Sequence, residues 1–178
     1  MAKGNTKIGG VVNDTGLSKS FVIKYLSVLK ELQLIERRVP LTEKNPERSR
    51  NGIYLLKDNF TRFWFKFVFE NQEYVEQGKQ EKIIKEKITP ELNSFTGKVF
   101  EEISISELIA NKDYSDYILG KWWDGNSEAD IVGLDKENKK ILIGEVKFKK
   151  LKQREVSKIK KSLYHLATKI NTLGFKEE

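Results

Sequence analysis

The sequence predicts a mixed α/β (α+β) protein in two parts joined by a helical connector. Three observations carry this. Apolar residues recur at helical spacing in residues 22–32, 90–111 and beyond 152. Two short strand-like runs, "LIERRV" and "GIYLLK", follow the first pair of helical segments. Three more, "YILGKWW", "EADIVGLD" and "KKILIGEVKF", lie between the two later helices. The expected parts are residues 1–57, a connector over 58–89, and a helix–strand–strand–strand–helix core over 90–178.

A chain of 178 residues, 38% apolar and 33% charged, is long enough for one ordinary domain or two small ones. It has no cysteine, which excludes disulfides, zinc ribbons and thiol chemistry. No apolar run is long enough to span a bilayer and the N-terminus lacks a secretory h-region, so a cytoplasmic location and no membrane partner are expected. The net charge of +7 is uneven. Residues 1–57 hold eleven Lys/Arg against five Asp/Glu, whereas the remainder is nearly balanced at 22 against 21. Local basic excess suits a polyanion such as DNA. A lysine-rich background is the alternative.

In the first part, "TKIGGVVND" reads as a short helix and "TGLSKS" as a turn in which Ser18 caps the next helix. Val22, Leu26, Leu29 and Leu32 form that helix's apolar side; Lys19, Ser20, Ile23, Lys24 and Ser27 lie opposite. The two strands flank "PLTEKNPERSR", polar and basic. Helix, turn, helix and a two-stranded wing is the winged-helix order. It predicts DNA contact by Lys19, Ser20 and Lys24 from the helix. Arg37, Arg38, Arg48 and Arg50 are the expected phosphate contacts from the wing. A winged helix used for protein contacts is the alternative.

Six aromatics crowd "DNFTRFWFKFVFE", with Asp58 or Asn59 as the expected cap. Packing explains this stripe, and base stacking is the alternative. Residues 71–94 read as a polar helical connector, with Pro90 in the first turn of the next helix.

The chemistry centres on "GEVKFKK". Alternation puts Ile141, Ile143, Glu145 and Lys147 on one face of the last strand. If "DKENKK" turns so that Leu134 pairs with Ile141, Asp130 falls opposite Glu145. An edge-strand ion pair would account for Glu145 and Lys147, but not for two facing carboxylates, which repel. A divalent cation between Asp130 and Glu145 converts that repulsion into coordination, and hard oxygen ligands suit Mg2+ or Mn2+. Such a centre activates water and binds phosphate oxygens, with Lys147 orienting the water or balancing charge. Glu101 is the expected auxiliary acid, because Gly97 in "GKVFE" offers close passage of the helix over the sheet. The lone His165 reads as a surface or packing residue.

Glu101 on a helix, Asp130 on a strand and Glu145-Val146-Lys147 on the next resemble the PD-(D/E)XK, restriction-endonuclease-like superfamily, with Ala129 where its usual proline stands. The blocks "IKYLSVLKELQLIERRVPLTE", "YLLKDNFTRFWFKFV", "GKVFEE", "KWWDGNSEADIVGLD" and "GEVKF" are together similar to a longer arrangement. It is the C-terminal part of archaeal and bacterial P-loop ATPases of the STAND-related MNS clade: a winged helix followed by a nuclease-like domain. The resemblance implies a DNA-binding, magnesium-dependent nuclease module whose ATPase domain is normally in the same chain. It equally admits an inactive DNA- or protein-binding regulatory tail of that ATPase, or a winged-helix transcriptional regulator. No G-x-x-x-x-G-K-[S/T] loop is present, so the ATPase step is not expected of these residues. Against this pattern the winged helix lacks its first helix and the nuclease-like core a last strand. A fragment or shortened product is therefore expected, and uncovered apolar surface would favour a homo-oligomer.

Overall fold

A computed structural model describes residues 1–2, 4–125 and 127–174, the side chains of 172–174 excepted. Asn126 of the "DGNS" turn and residues 175–178 at the end of "LGFKEE" lie outside the described residues. The fold is α+β and divides into two compact units. The first comprises Met1–Arg38 and Gly52–Asn93, the second Val39–Asn51 and Ser94–Glu178. The loop between the first two strands thus belongs to the second unit, not to the helices that precede it.

In the first unit, α1 (Ile8–Thr15) ends at Gly16, whose φ of 66° permits the left-handed cap and the 2.9 Å bond from its N–H to the Val12 carbonyl. Ser18 caps α2 (Lys19–Glu31), accepting from the Phe21 N–H as its position suggested. Strands β1 (Ile35–Arg38) and β2 (Ile53–Leu56) pair antiparallel, Ile35 opposite Leu56. Val22, Leu26 and Ile35 form the core, with Leu29, Tyr54 and Leu56 packed against it. Leu32 departs from its expected place: it is 61% exposed. It ends the helix, where Gln33 turns to φ 60° and the chain leaves the core face.

Asp58 caps α3 (Asn59–Phe63) by accepting from the Thr61 N–H, and that bond holds its carboxyl below the usual range. A π-turn follows over Trp64–Val68, where Phe67 is buried against Phe63. After a short 3-10 turn, α4 (Gln72–Glu76) leads through Gly78 to α5 (Gln80–Ile83). A second π-turn, Ile84–Ile88, runs directly into α6 (Thr89–Ala110). Pro90 sits in the first turn of α6, as its missing N–H favours. The helical path does not begin there, however. The wider π-turn relieves the steric demand of the proline ring on the preceding turn, and the Thr89 hydroxyl donates to the Ile84 carbonyl at 2.8 Å.

The second unit holds a three-stranded antiparallel sheet in the order β3 (Ile118–Asp124), β4 (Ser127–Asp135), β5 (Lys140–Gly144). The β4–β5 turn is closed by the buried Asp135, whose carboxylate accepts from the Asn138 N–H at 3.0 Å and side-chain amide at 2.8 Å. Leu134 stands opposite Ile141, the register inferred from turn length. Trp122, Ala129, Val132, Leu134 and Ile170 form the core, with Ile170 and Leu166 contributed by α7 (Gln153–Gly174). The loop 39–51 docks on β3. The Leu41 N–H bonds the Lys121 carbonyl at 2.9 Å, Trp122 Nε1 donates to Thr42 Oγ1 at 3.0 Å, and Trp123 Nε1 donates to the Asn51 carbonyl at 3.0 Å. The apolar residues of α6 are less covered than their spacing suggested: none is fully buried, and Leu92 and Ile103 are exposed. Among the described residues no helix is long and apolar enough to cross a membrane.

Candidate active site

The site grows from an irregularity in β4. Gly120 faces Val132 and Trp122 faces Ala129, so Asp130 and Ile131 together oppose the single residue Lys121. This is a β-bulge, which breaks strict alternation and re-aims a side chain. Both bulge residues are buried, and Asp130 is only 7% exposed.

The β4–β5 ladder closes at Ile131 opposite Gly144. The next pair would be Asp130 and Glu145, and the ladder stops short of it. The strand does not continue through Glu145 and Lys147 as the alternation of "ILIGEVKF" suggested. The reason is electrostatic and geometric. Two facing carboxylates repel, and Asp130 Oδ2 takes the Val146 N–H at 2.9 Å. That bond satisfies an amide which has left the sheet and ties the segment to the bulge.

Lys147 lies between the two acids. Its ammonium pairs with Glu145 Oε1 and stands 4.0 Å from Asp130 Oδ2. Its pKa is pushed above the ordinary lysine value, first by the hydrogen bond to Glu145 and then by the charges of Glu145, Asp130 and Glu101, against partial desolvation.

Glu101 comes from α6, which meets this segment through the rings of Phe100 and Phe148, 5.3 Å between centroids. Its carboxylate pairs with Lys121, the residue opposite the bulge. Gly97 does not mark the close approach expected of it: a Cβ there would meet nothing within 4 Å. The aromatic pair one turn later makes the contact.

Asp130, Glu145 and Lys147 therefore lie together, with Glu101 near enough to act on Lys147. Two carboxylates, both hard oxygen donors, match the one or two by which Mg2+ is ordinarily held while it keeps several waters. The Lys147 ammonium already bridges them as a cation would. Among the described residues no group of three or more metal-ligating side chains occurs, so Glu101 does not complete a cluster with the pair.

Glu145 also lines a cleft of about 330 Å³ between the sheet and α7. Ser127 and Glu128 of β4 form one wall; Ile159, Ser162, Leu163, His165 and Leu166 of α7 form the other. Sequence reasoning passed over Lys121, Glu128 and Ser162 as site neighbours, and took His165 as a packing or surface residue. Glu128, two residues before Asp130, was the legible signal; Lys121 depends on the bulge.

The residues expected to meet DNA are divided between the units. Lys19, Ser20 and Lys24 are exposed on α2, beside an equally exposed apolar stripe of Phe21, Tyr25, Val28 and Leu32. Arg37 and Arg38 are half-buried on β1: Arg38 pairs with Glu36, and the Arg37 guanidinium lies so close over Gly52 that a Cβ there would sit 2.6 Å from it. Arg48, in a 3-10 turn, and Arg50 are exposed on the docked loop of the second unit.

Residues 64–159 match the family DUF234, described as archaea bacterial proteins of unknown function. The matched span includes Glu101, Asp130, Glu145 and Lys147. The chain is also similar to the uncharacterized protein MJECL04 of Methanocaldococcus jannaschii, 37% identical over 169 residues. That alignment covers 92% of this chain and 37% of the relative, so the chain spans little over a third of that protein's length. No solved structure matches the chain. With more than half of its residues inside the family's span, the chain belongs to the DUF234 family of archaeal and bacterial proteins.

Proposed function

We propose that the second unit is a divalent-metal-dependent nuclease-like module that hydrolyses phosphodiester bonds in DNA. The observation that carries this is the convergence of Asp130, Glu145 and Lys147 where the β4–β5 ladder ends. Asp130 and Glu145 would hold Mg2+ or Mn2+. A cation there would lower the pKa of a bound water and draw on a phosphate oxygen.

The chain's own groups do the rest. The Val146 N–H fixes the orientation of Asp130. The bulge leaves that carboxylate largely buried. The Lys147 ammonium, kept protonated by its three acidic neighbours, offers positive charge where negative charge grows on the phosphate during attack. Glu101, held by Lys121, acts on Lys147 through space. Lys19, Ser20, Lys24, Arg37, Arg38, Arg48 and Arg50 are the residues proposed to hold the DNA.

The test is cleavage of DNA with magnesium or manganese by wild type and by Lys147→Ala. Activity lost in the variant supports the assignment. Equal activity in both refutes it.

One observation favours a second reading. Glu101 is engaged by Lys121, and among the described residues no three-acid cluster is assembled. In that reading the chain is an inactive DNA- or protein-binding regulatory tail, and an ATPase domain accompanies it within a longer protein. Calorimetry separates the two: no binding of magnesium or manganese at millimolar concentration would leave the regulatory module.

A further inference from the structure

We infer that one face of α7 is the track along which a nucleic-acid backbone reaches the Glu145 cleft. Arg154, Lys158, Lys161, Ser162 and His165 recur at intervals of four, three, one and three. They therefore fall on one side of the helix, next to the buried side of Ile159, Leu166 and Ile170. The stripe extends about 16 Å at 1.5 Å per residue. All five side chains are exposed. Its last two members, Ser162 and His165, line the same cleft as Glu145. The charged stripe and the candidate site are therefore continuous within one unit.

The fate of the neighbouring cations distinguishes this stripe from an ordinary solvated face. Lys149 is paired with Glu155 at 2.6 Å. Lys169 is paired with Asp124 at 2.7 Å and lies over the Trp122 ring. These two are spent on structure. Arg154, Lys158 and Lys161 have no acidic partner among the described residues. Glu155 is the one acid of α7, and it is held further by the Lys152 N–H. Nothing on the helix neutralises the stripe, so its charge is available to an external anion.

Repetition of the charges argues for a polymer of evenly spaced phosphates. Arg154, Lys158 and Lys161 are separated by about 6 and 4.5 Å of helix rise. A single phosphate needs one such group; a backbone needs the series. The far end of the track is acidic, with Glu128 and Glu145 in the cleft. A backbone threaded to that end is repelled until a cation offsets the carboxylates, so its affinity should rise with magnesium. The inference takes from the nuclease reading only what happens at the end of the track.

The experiment is fluorescence anisotropy of a labelled DNA oligonucleotide, single-stranded and duplex, with the full chain carrying Asp130→Asn to prevent turnover. It is repeated in EDTA on chain with native Asp130. Arg154→Gln/Lys158→Gln/Lys161→Gln is compared with a control of equal charge, Lys136→Gln/Lys139→Gln/Lys160→Gln. Circular dichroism verifies that both fold. The α7 variant should bind at least about tenfold more weakly than its parent. The slope of log K against log salt should fall by about 2 to 3, since each phosphate contact contributes roughly 0.7 to 0.9. The control should stay near its parent. An α7 variant within about twofold of its parent at the same salt, or an equal loss in the control, overturns the inference. So does displacement of DNA by polyglutamate at equal charge concentration, which would identify a general acidic-peptide surface. Weakened binding with no cleavage by any protein leaves the track and removes the hydrolase. Cleavage by wild type with unchanged α7-variant binding does the opposite.

Discussion

The backbone N–H of Val146 donates to Asp130 Oδ2 at 2.9 Å, and this single bond replaces the ladder contact that would have set Asp130 directly against Glu145. A buried carboxylate thereby becomes part of the fold as well as of the candidate site. The two roles are separable by substitution. Asp130→Asn keeps an acceptor for Val146 and removes the charge; Asp130→Ala removes both. The alanine variant should lose about 1–3 kcal/mol in urea denaturation, the cost of an unmet buried amide. The asparagine variant should retain most of the stability and lose magnesium binding by calorimetry. Equal destabilisation by both would assign the carboxylate's charge, not its acceptor, to folding.

Lys147 gives a pH signature. Its folded pKa is raised, chiefly by the hydrogen bond to Glu145. A raised lysine stabilises the fold fully below the unfolded pKa, and the contribution disappears as pH rises through the folded value. The difference in stability between wild type and Lys147→Met should therefore be flat from neutral pH to near 10.5, the ordinary lysine value, and shrink above it. Denaturation curves at matched salt check this. A difference that disappears below pH 9 would mean that the ammonium is not held by Glu145 and Asp130.

Gly133 is a packing constraint beneath the site. A Cβ at that position would sit 2.9 Å from Leu119 Cδ2, 3.1 Å from Tyr117 Cδ1 and 3.2 Å from Leu142 Cβ. The last atom belongs to the paired strand and has little room to move. Gly133→Ala should cost about 1–3 kcal/mol by overpacking. Gly125→Ala makes no such contact, and its penalty would come from its positive φ of 58°.

The turn length of "DKENKK" permits Leu134 to pair with Ile141, and that is the β4–β5 register found. The sequence carried Ser18 as a cap, and Asp58 or Asn59 as the other, because a helix start needs a local acceptor; the structure selects Asp58. It did not carry the bulge at Asp130 and Ile131. An inserted residue leaves no compositional mark, and its place follows from how β3 packs. Nor did it carry the docking of loop 39–51, since polar and basic loops look alike whether they meet solvent, phosphate or an indole. Within the candidate site, Asp130, Glu145 and Lys147 were legible from E-x-K beside an acidic strand. The Lys121 partner of Glu101 was not, because it depends on side-chain direction at the bulge, whereas Glu128, two residues before Asp130 in the same strand, left a readable signal.

That docking gives a test of its own. Trp122 is 1% exposed and its indole N–H is met by Thr42 Oγ1. Thr42→Val keeps the shape and removes the acceptor, which should cost about 1–3 kcal/mol. Thr42→Ser keeps the hydroxyl and should be much milder. If valine is as stable as wild type, the indole contact does not hold the loop.

The same loop bears on which basic residues would serve the proposed DNA contact. A wing that meets phosphates needs its cations free, and the loop's backbone is committed to β3 through Leu41 and Asn51. Arg48 and Arg50 nonetheless remain exposed, as do Lys19 and Lys24 on α2. Each pair can be neutralised without touching a buried contact. Loss of two phosphate contacts should lower the salt slope of duplex binding by about 1.8, at about 0.9 per contact. Arg48→Gln/Arg50→Gln should show that fall if the docked loop still reaches DNA. Lys19→Gln/Lys24→Gln should show it if α2 does. A salt slope unchanged by both pairs, in a protein whose binding is lost with Arg154, Lys158 and Lys161, would move the whole electrostatic contact to α7. It would leave the exposed Phe21, Tyr25, Val28 and Leu32 stripe as evidence that α2 serves a protein contact.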